Sequence, residues 1–181
     1  MKTYNIQILN RIIGRYKMLR LHNTDKHLEY CVGQDSLKAA IEIAAKAIDQ
    51  FDNIHNHQRR NGRLALGKFA KNLALKEQLI SRASDFDELI SIVQNAKCDK
   101  IGELAIYDTA YRIGNYLGIL PEKIYLHSGT REGAKALIGR AAGKTYILQT
   151  DLPSPFQRPD LTPAEIEDIL CIYKKELKKC T

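Results

Sequence analysis

The chain is predicted to be all-α, with little or no sheet. Three observations lead there: apolar residues recur at helical spacing along most of the 181 residues, helix-starting and helix-stopping residues flank those runs, and prolines are concentrated in one short segment. Hydrophobic residues at 44% and charged residues at 27% lie near globular averages, while 11 Gly and 5 Pro are too few for a collagen-like or low-complexity chain. The length suits one helical domain over residues 1–181, or two intertwined lobes, residues 1–53 with 143–181 and residues 54–142.

Residues 3–20 place Ile6, Leu9, Ile12, Ile13 and Tyr16 on one stripe, with Arg11, Arg15, Lys17 and Arg20 mainly elsewhere, as an amphipathic helix requires. Asp35 or Ser36 caps a second helix, whose stripe of Leu37, Ile41, Ala44 and Ile48 ends before Asp52 and Asn53. Residues 54–62 have no hydrophobic period and read as a loop. Helical patterning resumes over residues 64–80 with Leu66, Phe69, Leu73 and Leu79. Ser84 with Asp87 resembles a capping box ahead of Phe86, Leu89, Ile90 and Val93, in a helix ending near Ala96.

A short helix over residues 101–104, a tight turn, and a helix through Thr109, Ala110, Ile113 and Leu117 come next, closed by Gly118 before Pro121. Residues 123–127 are too few for a helix, whereas Gly129 and Thr130 offer a start for a helix over residues 131–142 that Gly143 ends. Residues 146–149 read as a short strand or strap. Four prolines between Pro153 and Pro163 make an extended arm, and Thr162 with Pro163 caps a last helix reaching about Lys179. The expectation is eight helices.

Composition removes several classes of function. The longest uncharged stretch, residues 113–121, is nine residues against the roughly 20 of a spanning helix, so no membrane partner is expected. No export signal is read near the N-terminus. Cysteines at 31, 98, 171 and 180 match neither a metal knuckle nor a disulfide framework, so a reduced, cytoplasmic protein is expected. Charge is informative through its placement. Residues 54–82 carry Arg59, Arg60, Arg63, Lys68, Lys71, Lys76 and Arg82 against Glu77 alone, while residues 83–130 hold seven acids and four bases. A field sorted in this way attracts polyanions, of which nucleic acid is the commonest in cytoplasm.

The polar run His55, His57, Gln58, Arg59, Arg60, then Arg63, supplies side chains that contact phosphates and base edges. Two histidines two apart share a face only in extended chain, so a metal would need a third ligand from His22, His27, His127 or Asp108; neither metal nor cofactor is expected. In the extended residues before Gly129, Tyr125 and His127 point to one side, and Gly129, Thr130 and Arg131 at a helix start make an anion seat.

Residues 104–114, with Tyr107, Asp108, Thr109, Ala110 and Arg112, resemble a degenerate helix-hairpin-helix in which Leu104 and Ile106 stand where the motif carries glycines. The all-helical layout around them is similar to the DNA glycosylase superfamily, which includes endonuclease III and the 8-oxoguanine glycosylases, with the Tyr-Asp-Thr-Ala and Tyr-Leu-His patterns of a bacterial branch. The resemblance implies a DNA glycosylase-like helical fold and DNA, rather than RNA, as partner. It also implies that the superfamily's catalytic lysine position falls on Asp108 and its catalytic aspartate position on His127. Aspartate forms no Schiff base, so standard glycosylase or lyase activity is not expected. The leading expectation is a nucleic-acid-binding protein. Beside it stand an enzyme using His127 as acid or base with Asp108 orienting it, on a nucleotide or other anion, and a non-catalytic subunit docking a protein partner.

Overall fold

The computed structural model describes residues 3–23, 25–139, 141 and 143–180. The protein is all-α, with one two-stranded sheet among the described residues. It divides into two compact units: residues 1–24 with 122–181, called unit 1, and residues 25–121, called unit 2. Chain ends meet in one unit, as in the lobes read from sequence, but the boundaries fall after residues 24 and 121 instead of at 53 and 142.

Unit 1 begins with α1 (Ile6–His22), which buries Leu9, Ile12, Ile13 and Tyr16 of the expected stripe, while Ile6 in its first turn is exposed. Strand β1 (Ile124–Tyr125) pairs antiparallel with β2 (Tyr146–Ile147) and leads into α8 (Ser128–Ile138). That helix starts three residues before the expected one, with His127 at its cap, so Thr130 lies inside the helix instead of capping it. Gly139, at φ 71°, ends α8; part of the expected continuation, Arg140 and Ala142, lies outside the described residues. The proline-rich arm contains two 3₁₀ turns, Gln149–Asp151 and Ser154–Phe156. Thr162 and Glu165 then form a reciprocal capping box at α9 (Pro163–Ile172), and α10 (Lys174–Leu177) continues after a break at Tyr173. Gly133 lets α8 lie on α9 backbone to backbone, since a Cβ there would stand 2.1 Å from the Leu170 oxygen.

Unit 2 opens with a helix that sequence periodicity missed, α2 (Lys26–Val32), whose seven residues bury only Cys31 fully. It is specified by its cap, the Asp25 carboxylate accepting from the His27 and Leu28 N–H groups. Ser36 caps α3 (Leu37–Lys46) as expected, while the predicted loop over residues 54–62 contains a 3₁₀ turn, Asn56–Asn61. The single helix expected over residues 64–80 is two, α4 (Gly62–Ala74) and α5 (Glu77–Ile80). Asp85, one residue beyond the expected cap, accepts from Glu88 N–H at the start of α6 (Phe86–Gln94).

The largest correction concerns α7 (Glu103–Leu117), one continuous helix through the residues expected to form a hairpin. A tight turn between residues 104 and 109 needs glycine where this chain has Leu104 and Ile106, and Ala105, Ile106, Tyr107, Thr109, Ala110 and Ile113 bury a broad helical face. The hairpin is therefore absent, and Asp108 is mid-helix and caps nothing. Gly118, at φ 76°, closes α7 as expected. Packing of α3 on α4 and α7, and of α6 on α7, forms the core of unit 2 around Ile41, Phe69, Leu73, Leu89 and Ile113.

Candidate functional site

In unit 2 three separate segments converge on a cluster of histidines, aspartates and one arginine. The cap at Asp25 sets His27 in the first turn of α2, where its Nε2–H donates to the Asn53 carbonyl at 3.1 Å. His55 is held by its backbone, with its N–H on the Ala47 carbonyl at 2.8 Å next to the Ile48–Ile54 bridge. Its ring stands edge-on between two others, 4.8 Å from His27 and 4.9 Å from His57 between centroids. From α7 come Asp108 and, one turn later, Arg112. The Asp108 Oδ2 accepts from Gln58 Nε2 at 2.6 Å, and Gln58 Oε1 accepts from Asn61 Nδ2 at 2.8 Å.

The electrostatics of this cluster centre on Arg112. It is 4% exposed, and its Nε and Nη1 have no hydrogen-bond partner. Most buried polar groups are satisfied, so such an orphan marks a ligand's place or a functional constraint. Burial, then the Arg112 charge, pushes His55 down to about 4, leaving its imidazole neutral at pH 7. Burial would raise Asp25, but Arg112 and the Leu28 and His27 N–H groups outweigh it and hold the carboxyl below the usual range. Cys31, on the buried face of α2, is pushed up by burial to about 11, so its thiol is inert near neutrality. Among the described residues three sets of three bring their ligand atoms within 4.8 Å of one another: two in this cluster, Asp25 with His27 and His55 and His55 with His57 and Asp108, and one in unit 1, His127 with Glu167 and Cys171.

Directly after this turn comes the basic run. Of the seven cations over residues 54–82, Arg63 pairs with Asp52, Nη1 to Oδ2 at 2.7 Å; among the described residues the other six have no acid within 4 Å. Arg59 touches only the Ile54 carbonyl, at 3.4 Å. Along α4 the exposed stripe reads Leu64, Lys68, Lys71, Leu75, with Leu64 93% and Leu75 89% exposed. Unit 2 as a whole is balanced, thirteen bases against thirteen acids, so its basic face is a matter of sorting; the net surplus of the chain belongs to unit 1.

The remaining expected site residues fall into unit 1 or into the core of unit 2. His127 is buried with Glu167, the two side chains hydrogen-bonded directly, and the Thr130 hydroxyl meets His127 Nε2 at 2.7 Å. Cys171 lies beside them, close enough that a Cβ on Gly129 would stand 2.7 Å from its sulfur. Arg131 donates to the carbonyls of Leu126, at 2.7 Å, and Lys144, tying α8 to the strap before β2 instead of forming an anion seat. Tyr125 is buried at 9% exposure, tilted against Tyr146, and Tyr107 is a core side chain stacked on Tyr111 and edge-on to Phe86.

His55, His57, Gln58, Asp108 and Arg112 are thus brought together, with Arg59, Arg60 and Arg63 following on. His127 and Asp108 belong to separate clusters in separate units, one held by Glu167 and the other by Gln58. Sequence reading missed Glu167, whose position between Ile166 and Ile169 on a buried face was the signal of a core carboxylate. It also missed Asp25, for which the cap sequence before Lys26 was the available sign. Comparison with protein-family models, curated proteins and solved structures finds no match to this chain.

Proposed function

We propose that the protein binds nucleic acid through unit 2, with Arg59, Arg60, Lys68 and Lys71 on the phosphate backbone. The observation that carries this reading is the set of cations on contiguous elements that no acid neutralises. Like charges gathered on one surface repel, and a polyanion relieves that repulsion while releasing its own counterions.

The test is retention of single- and double-stranded DNA and RNA in gels over a salt series. Arg59→Ala with Arg60→Ala, and separately Lys68→Ala with Lys71→Ala, are expected to weaken binding, with the salt slope falling by about one for each phosphate that is no longer neutralised. Unchanged affinity in both double variants, or no retention of any of the four nucleic acids at low salt, refutes it.

A second reading rests on the two leucines that flank the lysines of α4. Leu64 and Leu75, each at least 89% exposed, favour a docking face for a protein partner. Under that reading Leu64→Ser with Leu75→Ser abolishes the interaction, whereas nucleic-acid binding survives the same changes.

A further inference from the structure

We infer a site for one divalent transition-metal ion in unit 2, coordinated by His55, His57 and Asp108, with its remaining positions open to water or a phosphate oxygen. Two imidazole nitrogens and a carboxylate oxygen lie within 4.8 Å of one another there. Donors of a tetrahedral ion sit about 2.0–2.2 Å from it and therefore roughly 3.4 Å apart, so closure takes about an ångström of movement. The exposed His57 ring can supply this by rotation. Nitrogen-rich donor sets select zinc, cobalt, nickel or iron over magnesium and calcium, whose preferred ligands are oxygens.

The surroundings orient these donors as the outer shell of a metal site does. Gln58, 2% exposed, holds Asp108 through Oδ2, and Asn61 holds Gln58 in turn. His55 is fixed by its backbone hydrogen bond and by the His27 ring, itself anchored on the Asn53 carbonyl. A buried amide spent on a single carboxylate oxygen is an arrangement that packing alone does not require.

The neighbouring set, Asp25 with His27 and His55, is the poorer seat. Asp25 Oδ1 already accepts from two N–H groups of α2, at 3.0 and 3.2 Å, and its charge balances Arg112. Diverting Asp25 to a cation would leave a buried guanidinium uncompensated. With a divalent ion between His55, His57 and Asp108, the charges of Arg112, Asp25 and Asp108 leave a surplus of one positive charge in the cluster. An anionic oxygen on the ion offsets that surplus, and the unpartnered Arg112 N–H groups favour its presence.

The probe is cobalt(II) titrated into the full chain, read by visible d–d absorption and then displaced by zinc. One equivalent is expected to bind. His57→Ala and Asp108→Asn should each weaken binding more than about a hundredfold, Gln58→Ala about tenfold, and Asp25→Asn with His27→Gln only slightly. His57 is exposed, so its variant keeps the fold, which circular dichroism checks. Absence of cobalt absorption, wild-type affinity in His57→Ala and Asp108→Asn, or loss confined to Asp25→Asn with His27→Gln overturns the site. The titration contains no nucleic acid, so its failure and that of the binding reading are separate results.

Discussion

In unit 1, His127, Thr130 and Glu167 are 3%, 0% and 4% exposed and bonded to one another, whereas in unit 2 His27, His55, Asp25 and Asp108 stand half-buried around an arginine with unused N–H groups. The cations repeat the contrast. Arg15 pairs with Glu176, Lys17 and Arg158 with Asp160, and Lys174 with Glu132 in unit 1, while the basic run of unit 2 has Arg63 alone so paired among the described residues. Histidine beside carboxylate is thus structure in one unit and candidate site in the other. What separates them is exposure: the unit 1 groups lie at 4% exposure or less inside the core, whereas the unit 2 groups stand half-buried at the surface, within reach of a ligand.

The comparison is broken most directly at the buried cluster. Glu167→Ala should cost about 3–5 kcal/mol, because it strands a buried imidazole and hydroxyl and opens a cavity. Urea denaturation measures the loss, and hydrogen exchange should place it in α8 and α9 with the protection of α4 and α7 little changed. Equal loss in both units would erase the distinction drawn between them. Gly133→Ala should cost about 1–3 kcal/mol by forcing α8 off the Leu170 carbonyl, again measured by urea denaturation; a neutral effect would show that the packing of α8 on α9 yields easily.

The smallest effect expected concerns surface charge. Hydrogen bonds from Arg158 and then Lys17 hold the Asp160 carboxyl below its usual range. A carboxyl lowered by folding contributes stability that is present above its unfolded pKa and lost as pH falls through the folded value. Arg158→Ala should therefore flatten the acid limb of a stability–pH curve, with little change near neutrality. An unchanged acid limb would mean that the pair contributes nothing, as many exposed pairs do.

Much of the fold was legible because it rests on local signals. The stripe of α1, the Ser36 and Thr162 caps and the Gly118 stop are each set by a few neighbouring residues. The seven residues of α2 are too few to show a period, and the Asn56–Asn61 turn has none. Reading a hairpin into residues 101–114 followed a motif whose glycines are missing, and helical propensity together with core burial won over the motif. His27, His55, His57 and Asp108 had all been named as potential ligands, but nothing in their spacing said which would meet.

The sequence by itself determined the helical class, several helix ends and the sorting of charge, because periodicity, caps and charge counts depend only on nearby residues. Tertiary structure alone decided that His55, His57 and Asp108 share a corner with Arg112 and its unused N–H groups, and that His127 closes on Glu167 instead of on water. Those outcomes depend on which helices pack together across tens of residues, and on how many hydrogen-bond partners each polar group has when packing is complete.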